Sequence, residues 1–201
     1  MYTVYGNAYT RTLRVLWCLE EIGAPYTHVP GDAHSPEIKA VNPSGKVPAL
    51  GLEDGTILTD STAIMTFLAD KHAAVTFPAG TVDRARQDGF TNMLLDEIDG
   101  CLWTANRMTG RFLPEEMHVP DVIPSLKYEF SRSIARLDAM IHGPFLMGDT
   151  FTIPDIILTH CVGWARAIKF DIESDKVLAH AKAMRDRPGY KAAFALGQKA
   201  A

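Results

Sequence analysis

Four hydroxyl side chains lie close together where a short β-type run gives way to a helical pattern: Tyr5, Tyr9, Thr10 and Thr12. Hydroxyl donors near the N-terminus of a helix stabilise an anion, and a thiolate held there has a pKa below its usual value of about 8.5. Thr10 or Thr12 can equally be an ordinary helix N-cap, and Tyr5 a core residue of the strand. The residues alone leave both interpretations open.

An acid and an alcohol, Asp60 and Ser61, stand at the start of another helical pattern. The first-turn amides and the Ser61 hydroxyl can hold a carboxylate, while Asp60 can pair with an ammonium group. Together they suit the head of an α-amino acid, which carries both groups side by side. Both residue types are also preferred helix caps, so simple capping is the alternative.

A proline, Pro48, opens a short β-type run after the turn-rich stretch 42–46. A cis peptide bond at this place would turn the backbone N–H and C=O of Val47 outward, where they could pair with a peptide-like ligand. Only about 5–6% of X-Pro bonds in folded proteins are cis, so composition alone favours a plain turn.

The elements that must position these residues alternate between strand and helix. The patterns predict strands at 2–5, 25–29, 47–50 and 56–58, and helices at 10–22, 35–40 and from 60 onward. A βαβ start predicts a parallel pair of strands with a right-handed crossover. The acidic turn 53–55 predicts a hairpin between the last two strands. Residues 1–73 therefore read as βαβαββα.

The remainder of the chain predicts helices only, at 83–108, 120–141, from 153, 176–185 and 189–196. Thr152 and Asp155 have the spacing of a capping box at the start of the third of these. The chain is thus predicted to contain an α/β domain over 1–74, a linker over 75–82 and an all-helical domain over 83–201.

Composition excludes several classes of protein. The 201 residues include 20 Lys and Arg against 24 Asp and Glu, for a net charge of −4, and no basic stripe indicates a nucleic-acid partner. No apolar run approaches the roughly 18 residues of a membrane span, and no signal peptide is recognised. The three cysteines form no zinc or disulfide pattern, so we expect core cysteines, no metal and a cytoplasmic location.

The order of the motifs resembles the cytosolic glutathione transferase family, in particular bacterial members without a catalytic cysteine. The resemblance rests on the runs Tyr-Gly-x-x-x-Thr-x-Thr-x-Arg-Val, Asn-Pro-x-Gly-Lys-Val-Pro-Ala-Leu and Asp-Ser-x-Ala-Ile, and it covers nearly the whole chain. It implies an α/β thioredoxin-like N-terminal domain with a cis proline at Pro48, an all-α C-terminal domain and a homodimer.

The resemblance also implies how glutathione binds. The backbone of Val47 would pair with the cysteinyl part, and Asp60 and Ser61 would take the γ-glutamyl head. Lys46 and His34 are the candidates for the glycine carboxylate. No metal is implied.

For catalysis, the resemblance points to Thr10, which stands where many bacterial members place a serine, with Tyr5 and Thr12 as further candidates. One hydrogen bond to a charged acceptor contributes about 1.5–3 kcal/mol, which would lower the thiol pKa by about one to two units. The apolar second substrate is expected against Tyr9, Trp103, Met108 and Trp164.

These features predict a glutathione transferase that activates the glutathione thiol as a thiolate for attack on an apolar electrophile. Two alternatives stay open. One is a glutathione-dependent disulfide or peroxide reductase, and the other is a glutathione-binding protein without catalysis.

Overall fold

The computed structural model describes residues 1–110 and 112–198, and these form two compact units. One unit contains Met1–Arg84 together with the chain from Arg185 onward, and the other contains Ala85–Met184. The C-terminal helix therefore packs with the α/β part of the chain rather than with the other helices. The predicted domain limits stay a prediction, since they divide the chain by its local patterns rather than by packing.

The first unit is built on a four-stranded mixed sheet. Its strands are β1 (Tyr2–Tyr5), β2 (Tyr26–Val29), β3 (Ala49–Gly51) and β4 (Ile57–Thr59), in the order β2-β1-β3-β4. The β1–β2 pair is parallel, whereas β1–β3 and β3–β4 are antiparallel. The predicted βαβ start and the predicted hairpin are both confirmed.

Four helices accompany the sheet: α1 (Thr12–Ile22), α2 (Pro36–Val41), α3 (Ser61–His72) and the C-terminal α9 (Pro188–Gln198). Helix α1 has a continuous buried run from Thr12 to Leu19, because it packs against both α3 and α9. Arg187 anchors α9, donating two hydrogen bonds to the Glu21 carboxylate at 2.8 and 2.6 Å. Helix α1 begins at Thr12 rather than at the predicted Thr10, since Thr10 lies in the preceding turn.

The second unit is helical. Its elements are α4 (Val82–Met93, which begins in the first unit), a π-helical segment (Leu94–Asp99), α5 (Gly100–Thr109), α6 (Ile123–Met140), α7 (Ile153–Ala167) and α8 (Asp175–Arg185). Two short 3₁₀ turns, Glu115–Met117 and Pro120–Val122, precede α6. The predicted helix over 83–108 is therefore continuous but contains a wider π-helical segment that the sequence pattern did not predict.

The start of α7 confirms the predicted capping box. Asp155 is fully buried, and its carboxylate accepts hydrogen bonds from the backbone N–H groups of Thr152 and Leu146, each at 2.8 Å. The same carboxylate lies 2.8 Å from Nε2 of the buried His180 on α8. One acid thus holds the first turn of α7, the preceding loop and α8 together.

Within 1–110 and 112–198, every helix is too short or too polar to cross a membrane. The same residues include no group of three or more His, Cys, Asp and Glu side chains arranged to hold a metal ion.

Candidate active site

The sheet brings three chain segments to one end. Tyr5 at the end of β1 pairs with Ala49 at the start of β3, and Ala49 pairs with Thr59 at the end of β4. The chain after β1, before β3 and after β4 must therefore lie side by side. These are the segments that carry the hydroxyl cluster, the proline loop and the acid–alcohol pair.

Gly6 allows the first two of these segments to touch. A Cβ atom on Gly6 would lie 2.4 Å from Oγ1 of Thr12 and 2.7 Å from Cβ of Val47. Its backbone also has a φ of +123°, a value that residues with a side chain rarely adopt. Glycine at this position lets the start of α1 pack directly on the loop before β3.

The Val47–Pro48 peptide bond is cis, which confirms what the resemblance implied. Pro48 is buried, whereas Val47 is half-buried. Among the residues that the structure describes, none forms a hydrogen bond with the backbone N–H or C=O of Val47. Both groups are therefore available to a peptide-like ligand.

Asn42 holds the loop that leads to Val47. Its Nδ2 donates to the carbonyl of Lys46 at 2.8 Å, and its Oδ1 accepts from the backbone N–H and the hydroxyl of Ser44 at 3.2 and 3.0 Å. The Asn42 carbonyl accepts from the N–H of Gly45 at 2.8 Å. This role of Asn42 was not predicted from the sequence, although an asparagine before a proline is a common turn signal.

The two predicted partners of the glycine carboxylate flank this loop. The backbone N–H of His34 donates to the carbonyl of Gly45 at 2.7 Å, and a Cβ on Gly45 would lie 2.5 Å from His34 Nδ1. Lys46, the next residue, is exposed, and no acid within the described residues pairs with its ammonium group. The side chains of His34 and Lys46 thus border the same turn.

The start of α3 carries the predicted acid–alcohol pair. Asp60 is exposed and caps the helix through one oxygen only, because Oδ1 accepts from the N–H groups of both Thr62 and Ala63 at 2.9 and 3.0 Å. Ser61 is 3% exposed, and within 1–110 and 112–198 its N–H and hydroxyl form no hydrogen bond. Capping and ligand binding are therefore compatible, since Oδ2 of Asp60 and both donors of Ser61 are unused.

The three predicted catalytic residues occupy different environments. Thr10 is half-buried, and its hydroxyl donates to the Asn7 carbonyl at 2.7 Å. Thr12 is fully buried, and its Oγ1 lies 2.9 Å from Oγ1 of Thr10, so Thr12 acts on Thr10 and has no surface for a ligand. Tyr5 lies over the sheet, with Cε2 3.3 Å from where a Cβ on Gly51 would stand.

A polar triangle beside Thr10 was not predicted. Asn7 Nδ2 donates to the Tyr9 hydroxyl at 2.7 Å and to Asp32 Oδ1 at 2.6 Å. The Tyr9 hydroxyl donates to the same Asp32 oxygen at 3.0 Å, while the Tyr9 residue is 67% exposed. Asn7 and Asp32 are 25 residues apart in the chain, so no local sequence pattern links them.

Comparison with known proteins agrees with this geometry. A family model described as the glutathione S-transferase N-terminal domain matches residues 10–71. Glutathione S-transferase GstA of Escherichia coli O157:H7 is 28% identical over 180 residues, which cover 85% of this chain and 86% of that protein. The crystal structure of a glutathione transferase from Methylococcus capsulatus is 27% identical, with a TM-score of 0.82 over 98% of this chain and 100% of that one.

Residues 10–71 therefore match the glutathione S-transferase N-terminal domain, and the chain is similar to glutathione transferases over most of its length. A second solved relative, a glutathione transferase homologue from Sulfitobacter with bound glutathione, is 25% identical, with a TM-score of 0.81 over 96% of each chain. The predicted fold class, a thioredoxin-like α/β part followed by a helical part, is confirmed.

The helical unit holds most of the residues predicted for the second substrate. Trp103 on α5 and Trp164 on α7 lie with ring centroids 6.4 Å apart, and the ring of Phe112 lies 5.2 Å from Trp103. Met108 is half-buried on α5. Tyr9 belongs to the other unit, so a pocket made of all four residues stays a prediction.

The three cysteines are buried or half-buried. Cys18 and Cys161 are fully buried, and burial raises the pKa of the Cys18 thiol far above its usual range. Cys101 is half-buried, and burial together with nearby acids raises its pKa as well. The expectation of core cysteines is confirmed for Cys18 and Cys161.

Proposed function

We propose that this chain is an enzyme that binds glutathione and joins the glutathione sulfur, with the rest of the tripeptide attached, to an electrophilic carbon. The observation that carries the proposal is the set of unused hydrogen-bonding groups at one end of the sheet. Val47 lies two residues before Ala49, Ser61 lies two residues after Thr59, and Ala49 and Thr59 are paired. The free backbone of Val47 and the free donors of Ser61 therefore lie near the same end of the sheet, which supports their binding one ligand together.

Each part of glutathione has a matching group. The N–H and C=O of Val47 pair with the cysteinyl backbone as one more strand would. The N–H and hydroxyl of Ser61 bind the γ-glutamyl carboxylate, and the free oxygen of Asp60 accepts from its ammonium group. His34 and Lys46 attract the glycine carboxylate.

The thiol is activated by Thr10. Its hydroxyl moves its donated hydrogen bond from the Asn7 carbonyl to the glutathione sulfur, which stabilises the thiolate. The Asn7 carbonyl keeps a partner throughout, because the Thr10 backbone N–H also donates to it at 3.1 Å. Thr12 holds Thr10 in place through its own hydroxyl and its N–H, 3.2 Å from Thr10 Oγ1.

The reaction is nucleophilic substitution or addition at carbon. The thiol proton passes to solvent, the thiolate forms a C–S bond, and a leaving group such as chloride departs with its bonding electrons. We propose that Trp103, Met108 and Trp164 hold the electrophile. The homodimer implied by the resemblance and the cytoplasmic location expected from the cysteines belong to this proposal, and sedimentation of the purified protein would test the dimer.

Calorimetry with two ligands tests the binding step. Ser61→Ala should weaken the binding of reduced glutathione about tenfold. The affinity for cysteinylglycine, which lacks the γ-glutamyl head, should change by less than twofold. Ser131→Ala, an exposed serine on α6, is the matched control and should change neither. Equal loss for both ligands would refute the assignment of Ser61.

Turnover measurements with two substrates distinguish the transferase reaction from the reductase reaction. The proposal predicts faster glutathione consumption with a chloronitrobenzene than with a small disulfide. The reverse order would make the protein a reductase, and binding without turnover of either compound would make it a glutathione-binding protein.

A further inference from the structure

The guanidinium of Arg107 on α5 lies in an unusual setting within the helical unit. Its Cζ is 5.5 Å from the centroid of the Trp103 ring. Its Nε is buried, and no acceptor within the described residues bonds to it. No acid of those residues forms an ion pair with Arg107 either. A buried N–H without an acceptor is unfavourable, so a ligand that supplies one gains affinity.

Arg132 on α6 provides the contrast. Its Cζ lies 5.7 Å from the ring centroid of Tyr128, a geometry similar to that of Arg107 over Trp103. Arg132, however, has Glu129 at 3.7 Å and is 64% exposed. Stacking of an arginine on an aromatic ring is therefore not by itself a sign of a site. The missing acid and the buried Nε distinguish Arg107.

The surroundings of Arg107 are aromatic. Trp103 contacts both Phe112 and Trp164, with ring centroids 5.2 and 6.4 Å away, and the His160 ring is 6.2 Å from Trp164. Phe112 is 47% exposed and both tryptophans are half-buried, so ring surface is open to a ligand. Such surfaces bind planar rings by offset or edge contacts.

We propose that this aromatic cluster, Trp103, Phe112 and Trp164 with Arg107 at its side, selects aromatic electrophiles that carry a carboxylate. The rings bind the aromatic part, and the guanidinium fork binds the carboxylate through Nε and a terminal nitrogen. The whole chain has a net charge of −4, so general attraction of anions does not explain such a preference. The inference rests on the proposed function, because it names the class of the second substrate.

Two probes test the preference, a chlorodinitrobenzoate and its methyl ester, which share the ring and the leaving group but differ in charge. Binding is measured without glutathione, by quenching of tryptophan fluorescence. Trp17, the third tryptophan, is 1% exposed and belongs to the other unit, so it serves as a constant background. The wild-type protein should bind the acid at least about tenfold more tightly than the ester.

The matched variants are Arg107→Met and Arg132→Met. Arg107→Met should lower the affinity for the acid about tenfold or more and change the affinity for the ester less than twofold. Arg132→Met should change neither affinity. Arg107→Lys keeps the charge without the fork and should recover part of the affinity for the acid; it replaces Arg107→Met if that variant does not fold.

The inference is overturned if the wild-type protein binds the ester as tightly as the acid. It is also overturned if Arg107→Met lowers the affinities for both probes equally, or if Arg132→Met lowers the affinity for the acid as much as Arg107→Met does. Binding of the acid with no turnover in the presence of glutathione would instead refute the proposed transferase reaction and leave this site standing.

Discussion

The activating role of Thr10 predicts a measurable change in the acidity of bound glutathione. In the structure the Thr10 hydroxyl already donates to the Asn7 carbonyl at 2.7 Å. Donation to a thiolate replaces this neutral hydrogen bond, worth about 0.5–1.5 kcal/mol, by one to a charged acceptor, worth about 1.5–3 kcal/mol. The net gain is about 1–1.5 kcal/mol. At 1.36 kcal/mol per unit, this lowers the thiol pKa by about one unit rather than two.

The variant Thr10→Ala should therefore raise the pKa of the bound thiol by about one unit. From a usual value of about 8.5, activation gives about 7.5, and the thiolate fraction at pH 7 then falls about eightfold in the variant. The ultraviolet absorbance of the thiolate, titrated against pH in the glutathione complex, measures both values. Turnover should fall by the same factor at pH 7 and approach the wild-type rate above both pKa values.

Thr10→Ser, which keeps the hydroxyl, is the control and should leave the thiol pKa nearly unchanged. An unchanged thiol pKa in Thr10→Ala would refute the reasoning. A rise of the thiol pKa in Tyr5→Phe instead would show that the hydroxyl donor to the sulfur is Tyr5 on β1.

Four further changes test the structure, two in the unit with the sheet and two in the helical unit. The Cβ added by Gly6→Ala would overlap side chains on α1 and on the loop before β3. This variant should therefore have a lower melting temperature and should bind glutathione at least about tenfold more weakly in calorimetry. Gly55→Ala, at a φ of +85° but with open space around it, should cost stability only. Asp155→Ala should lower the free energy of unfolding in urea by about 3 kcal/mol or more, because it leaves buried donors unpaired. Arg136 lowers the pKa of Glu97, so Glu97→Gln should destabilise the protein by less than about 1 kcal/mol at pH 7. That difference should shrink as the pH falls below about 4.3 and vanish below the folded-state pKa.

Three outcomes would contradict these expectations. Equal effects of Gly6→Ala and Gly55→Ala on glutathione affinity would show that contact with α1 and the loop is unimportant. A loss below about 1 kcal/mol for Asp155→Ala would mean that the capping box can be replaced by water. A destabilisation by Glu97→Gln that persists or grows in acid would have the wrong sign for a carboxyl whose pKa is lowered on folding.

Local signals were sufficient to predict much of the fold. The hairpin turn at Gly55 and the capping box at Asp155 depend on residues a few positions apart, and both are confirmed. The π-helical segment at Leu94–Asp99 was missed because it widens the helix without breaking its apolar pattern. The start of α1 was placed two residues early, because a turn and a first helical turn use the same hydroxyl residues.

The site was predictable only where the chain is contiguous. The resemblance pointed to the Val47–Pro48 bond and to Asp60 with Ser61, and the structure places these segments at paired strand ends. The contact of Asn7 with Asp32 depends on the parallel pairing of β1 and β2, which brings residues 25 positions apart into hydrogen-bonding distance. The commitment of the Thr10 hydroxyl to a carbonyl likewise needs coordinates, because the turn geometry sets it.

A crystal structure of the protein with reduced glutathione tests the central claim most directly. The account predicts both backbone groups of Val47 hydrogen-bonded to the cysteinyl part, the γ-glutamyl carboxylate on Ser61, and the Thr10 hydroxyl as the oxygen nearest the sulfur. Glutathione bound elsewhere, or bound with Val47 unpaired, would contradict it.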